Sequence, residues 1–140
     1  MNHASRILNL LLDARITSEE ALNRLQEEVV FTIENGELNI IQNQILDEPV
    51  IVFPHHVFSR IKSCIEGLMD TSELTYWANL VTTLDGYERP PSDSKQPDDY
   101  YDVMWHVLQC LSTPSIDGEL TDTQLNQYLS ELKQQYVDLE

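Results

Sequence analysis

The side chains of this chain best equipped for chemistry are Asp102, His106 and Cys110, a carboxylate, an imidazole and a thiol set four residues apart. On a helix that spacing lines all three along one face, within reach of one another. They offer the oxygen, nitrogen and sulfur donors that hold zinc, and His55, His56 or Cys64 has the right chemistry for a fourth ligand. What the pattern lacks is a close local pair of ligands on a knuckle or tight turn, which structural zinc sites usually have. Cys110 also stands among Val107, Leu108 and Leu111, the setting of a small core residue. The metal-binding reading, a metal-dependent enzyme or regulatory domain, therefore ranks below a core cysteine beside a hydrogen-bonded histidine. We assign no metal and no cofactor.

His55 and His56 follow Pro54 directly and could serve as acid and base. Neighbours on a helix point in different directions, however, so the pair reads as one cap residue and one surface ring. Cysteine–histidine catalysis needs backbone donors gathered in a glycine-bearing turn, and neither cysteine sits in one. The chain has no glycine-rich phosphate loop, no G-x-S-x-G and no H-E-x-x-H. Asp93, Lys95, Pro97 and Asp98 break the alternation of a calcium loop. The expectation is a protein that is not an enzyme.

The remaining constellation is acidic and aromatic. Asp85, Glu88, Asp93, Asp98, Asp99 and Asp102 surround Tyr87, Tyr100 and Tyr101, opposed only by Arg89 and Lys95. Tyrosine brings rigid contact area with a polar tip, and carboxylates pair with the cations of a basic partner. The candidate partner-binding residues are thus Asp85, Tyr87, Glu88, Asp93, Asp98, Asp99, Tyr100 and Asp102. Across the chain 24 acids face 8 bases, a formal charge of −16. Such a field repels nucleic-acid phosphates and anionic lipid and speeds encounter with a basic protein. The charge density rises toward the end, with −7 over residues 1–84 and −9 over the shorter stretch 85–140.

Positioning these residues falls to a chain of 140 residues that reads as one globular domain spanning 1–140. Ile7, Leu8, Leu11 and Leu12 place a first helix over Ser5–Arg15. Thr17 with Glu20 is a capping box, and Leu22, Leu25, Val29 and Ile33 extend one apolar stripe to Asn35-Gly36, so we read a helix there. The rival is a β-hairpin within 29–53, since Asn-Gly between Val29–Ile33 and Leu38–Ile41 suits a tight turn. Pro49 and Pro54 bracket a short extended run. Further helices follow from Pro54 to near Met69, from Asp70 to Asp85-Gly86, from Pro97 through Leu111, and after the Thr121–Gln124 capping box. Residues 87–96 read as a loop. The fold class is mainly α, a compact bundle of about six helices.

Cys64 and Cys110 lie far apart in apolar segments, which reads as reduced core thiols. The start has too short an apolar run for a signal peptide, and no stretch is long enough to cross a bilayer. These features point to the cytoplasm.

One resemblance adds to this picture. Leu74, Trp77, Ala78 and Leu80, leading into Leu84-Asp85 and Tyr87-Glu88, then Leu111-Ser112-Thr113-Pro114, Ile116 with Gly118, and Leu120-Thr121, resemble small helical bacterial immunity proteins of polymorphic or contact-dependent toxin systems. The likeness covers roughly the last two-thirds of the chain. It implies a cytoplasmic protein that binds one cognate toxin C-terminal domain, often a nuclease with a basic cleft, and blocks it. An acidic adaptor or nucleic-acid mimic is the alternative that shares this charge.

Overall fold

The structure, a computed structural model, describes residues 3–13, 15–24, 29–34, 37–43, 50–83, 87–90, 99–114, 120–136 and 139. Among them the chain runs α1 (His3–Leu12), α2 (Ser18–Arg24), β1 (Val29–Glu34), β2 (Glu37–Asn43), β3 (Val50–Ile51), α3 (Pro54–Ile65), α4 (Thr71–Thr83), β4 (Tyr87–Glu88), α5 (Asp102–Ser112) and α6 (Asp122–Gln135). The protein is mainly helical, as its apolar periods require.

The helix starts follow from side chains that can accept an orphan backbone N–H. Thr17 Oγ1 takes the Glu20 N–H at 3.1 Å, Asp70 Oδ1 takes that of Glu73 at 2.8 Å, and Thr121 Oγ1 takes that of Gln124 at 3.2 Å. α3 begins differently: Pro54 fills its first turn, and the His56 ring accepts the Phe53 N–H at 3.0 Å. The same helix stops at Ile65, short of the expected Met69, because Gly67 takes φ 80°. Gly67 N–H then reaches the Cys64 carbonyl at 3.1 Å and Leu68 N–H the Ser63 carbonyl at 2.9 Å, the paired bonds of a Schellman end.

Residues 29–34 correct the preferred sequence reading. The helix begun at Thr17 ends at Arg24, and the run Val29–Glu34 is a strand paired antiparallel with Glu37–Asn43. The β-branched run outweighs the apolar stripe that suggested a continuing helix, since Val, Thr and Ile lose χ1 freedom in a helix and fit a pleated surface. Phe31 faces Ile40 and Ile33 faces Leu38, and a register shift at Val30/Phe31 leaves Ile41 as the extra residue of a bulge. The Asn35-Gly36 turn lies outside the described residues.

A second pairing was not visible in the periodicity. β3 and β4 run parallel, with Val50 opposite Tyr87 and Ile51 opposite Glu88, and the Val52 N–H extends the ladder to the Glu88 carbonyl at 2.9 Å. The α3–α4 unit is the crossover that parallel neighbours need. Residues 87–88, expected to be loop, are thereby strand.

The core is one cluster centred on α4. Leu74, Trp77, Ala78 and Leu80 are fully buried and share the cluster with Met104, Leu108 and Leu111 of α5, Ile61 of α3, Ile7 and Leu11 of α1, and Leu125 and Leu132 of α6. α4 packs on α5, α3, α2 and β2, and α6 lies against α3 and α5. Both cysteines are buried within this cluster.

Gly67 offers a clean test of how α3 ends. A Cβ there would meet nothing within 4 Å, so the only cost of Gly67→Ala is its left-handed backbone. The expected loss is about 1 kcal/mol, read as a lower urea midpoint at unchanged slope.

Candidate functional site

Strand alternation sorts the first of the candidate binding residues. In β4 the side chain of Tyr87 points inward and that of Glu88 outward, because successive residues of a strand face opposite sides. Tyr87 is 7% exposed, its hydroxyl donates to the Leu8 carbonyl of α1, and burial pushes its pKa well above the ordinary phenol value. It is a core residue, which removes it from the proposed contact surface. Glu88 is exposed.

Asp99, Tyr100 and Asp102 form the approach to α5. Asp99 and Asp102 are exposed, joined by the bond from Asp102 N–H to the Asp99 carbonyl. Tyr100 is partly buried, its ring edge-on to Tyr101 and Tyr136 at 4.9 and 5.2 Å between centroids. The Tyr136 hydroxyl takes the Met104 N–H at 3.0 Å and donates to the Tyr100 carbonyl at 2.9 Å. Gln135 Nε2 donates to the same carbonyl at 3.2 Å. The end of α6 therefore holds the segment leading into α5 by its backbone. Desolvation is the main reason that the Tyr136 hydroxyl is pushed up to about 12, which keeps it a neutral donor and acceptor at any working pH. Asp85, Asp93 and Asp98 lie outside the described residues.

Arg89 is already engaged. Arg89 Nη1 is 2.5 Å from Asp102 Oδ1, and its guanidinium lies over the Trp105 ring at 5.2 Å. Trp105 is only partly buried, unlike Trp77, and forms the platform for Arg89. Next to this pair a groove of about 610 Å³ runs between α5 and α6, lined by Asp102, Val103, His106, Glu131, Gln134 and Gln135. Glu131, Gln134 and Gln135 escaped the sequence reading. Their spacing of three and four marks one face of α6, but only the packing of α6 on α5 sets that face beside Asp102.

The Asp102, His106 and Cys110 set does not converge on one point. Cys110 Sγ lies 3.6 Å from His106 Nε2, with the thiol buried and the ring exposed, whereas Asp102 is held by Arg89. Among the described residues no group of three or more His, Cys, Asp or Glu side chains is arranged to hold a metal ion.

His55 and His56 divide as cap and surface ring. His55 is exposed and stacks on Phe53, and its ring centroid is 4.1 Å from that of His56. His56 uses Nδ1 on the Phe53 N–H and turns Nε2 to Asp13 Oδ1 at 3.6 Å. Both nitrogens are thereby occupied, and the ring has no lone pair to offer Ser59 or Ser63 in the adjoining cavity.

Comparison with protein-family models, with curated proteins and with solved structures finds no match to this chain. Among the described residues no helix is long and apolar enough to cross a membrane.

The structural role of Tyr87 is open to direct measurement. Tyr87→Phe keeps the ring and leaves the buried Leu8 carbonyl without its donor. A stability loss of about 1–2 kcal/mol is expected from chemical denaturation, with the helical circular-dichroism signal unchanged.

Proposed function

We propose that this chain is a binding protein that neutralises a cognate bacterial toxin domain in the cytoplasm, as its resemblance to immunity proteins implies. It acts by occupying a basic surface and not by catalysis. The observation that carries this reading is the arrangement around the groove between α5 and α6. Asp99 and Asp102 stand exposed at its α5 end and Glu131 lines its α6 side, while Arg89, the nearby cation, is taken up by Asp102 and Trp105.

The geometry suits recognition for two physical reasons. The surface is preorganised, because Tyr136 and Gln135 fasten the Tyr100 carbonyl and the first turn of α5 before any partner arrives. A net charge of −16 also draws a basic partner in over distances near the Debye length. A nuclease cleft shaped for phosphates would accept carboxylates in their place, which makes that class of toxin the best chemical fit.

Reversing charge at Glu88, Asp99 and Glu131 to lysine leaves the Arg89–Asp102 pair in place and tests the surface directly. The triple variant is expected to associate with its basic toxin domain at least about tenfold more slowly than the wild type at low salt, measured by stopped flow. The difference should shrink as salt rises. Unchanged association would remove this face from the contact.

A further inference from the structure

The first turn of α3 is closed by an imidazole, where most helices use a hydroxyl, carboxylate or carboxamide. Because His56 Nδ1 accepts the Phe53 N–H, the neutral ring carries its proton on Nε2, and that nitrogen faces Asp13 just beyond α1. One ring thus joins the start of α3 to the end of α1. The charged and titratable groups facing it are Asp13 from the α1 side and His55 and Arg60 from α3 itself. A cavity of about 160 Å³, bordered by Asp13, His55, Ser59 and Arg60, brings solvent to the ring.

We propose that His56 is an acid-sensitive catch: a second proton, taken from solvent onto Nδ1, removes the acceptor for the Phe53 N–H and opens the first turn of α3. A doubly protonated imidazole has donors only, so the Phe53 N–H would face another N–H in place of a lone pair. The added charge also arrives beside Arg60, a residue 7% exposed whose guanidinium is bound to the Leu11 carbonyl of α1. Asp13 gains a stronger ion pair, but half of its side chain is in solvent, which weakens that compensation.

The resistance of the folded ring to protonation agrees with this geometry. Burial, then the neighbouring His55, and last Arg60 disfavour the charged form, Asp13 opposes them, and the balance brings His56 from 6.5 down to about 4. The unfolded chain therefore takes up the proton first. Stability attributable to this ring is complete above pH 6.5, falls as the pH drops toward about 4, and changes no further below it.

His56→Gln is the discriminating variant, since a carboxamide oxygen can accept the Phe53 N–H and does not titrate. Comparing urea unfolding of wild type and variant between pH 7.5 and 4 cancels the contribution of the many carboxylates. The ratio of the two unfolding constants should change by up to about tenfold per pH unit across the window, the wild type losing more, and a ratio independent of pH overturns the proposal. Nitrogen-15 NMR of the wild-type ring gives a second, independent reading. Protonation of Nε2 at neutral pH, a midpoint near 4 and faster exchange of the Phe53 amide in step with it are expected, whereas an Nδ1–H tautomer or a midpoint at 6.5 overturns it.

Discussion

The end of α1 is the point on which this fold depends. A helix terminus leaves its last carbonyls without partners, and here that terminus is buried. The Leu11 carbonyl receives Arg60 Nη2 at 2.6 Å and Trp77 Nε1 at 3.2 Å, and the Leu8 carbonyl receives the Tyr87 hydroxyl. Three donors from α3, α4 and β4 thus converge on one turn of one helix. The positive guanidinium also meets the negative end of the helix dipole, which helps explain how an arginine can be buried while its Nε has no hydrogen-bond partner among the described residues. Trp77 stacks against that guanidinium at 5.1 Å and contributes attraction from its ring face as well as its N–H.

The start of α2 solves the opposite problem in the same neighbourhood. Ser18 is fully buried, and both its N–H and its hydroxyl donate to Glu73 Oε1, at 2.9 and 2.8 Å. A carboxylate at the positive end of α2 and a guanidinium at the negative end of α1 are therefore both supplied from the α3–α4 unit. Desolvation lowers the pKa of Arg60, and Glu73, Tyr87 and Asp13 counter it. The buried Arg60 and the partly buried Glu73 compensate helix ends and one another through space, so removing either would leave more than one group in an uncompensated field.

What could be read in the sequence followed from locality. Thr17, Asp70 and Thr121 declare helix starts because a cap acts over three residues, and the α4 and α5 faces are written in periods of three and four. Val29–Ile33 carries an apolar stripe and a β-branched run at once, so its outcome rests on pairing with Leu38–Ile41, a non-local event. Tyr87 was misassigned for a similar reason. In isolation it borders an acidic loop, and only the pairing of Val50 with Tyr87 turns its ring into the core and Glu88 out. Of the eight candidate contacts, Glu88, Asp99 and Asp102 are exposed, and Glu131 became visible only through the packing of α6 on α5.

Three cations among the described residues lie over aromatic rings. Arg60 lies over Trp77, Arg89 over Trp105 and Lys133 over Phe58, at 5.1, 5.2 and 5.7 Å from the ring centroids. Each places positive charge against the negative face of an aromatic ring. Of the three only Arg60 is buried; Arg89 and Lys133 stay exposed, so their charge still counts in the surface balance. Arg89 joins two contacts of different kinds, pairing with Asp102 while it lies over the Trp105 ring.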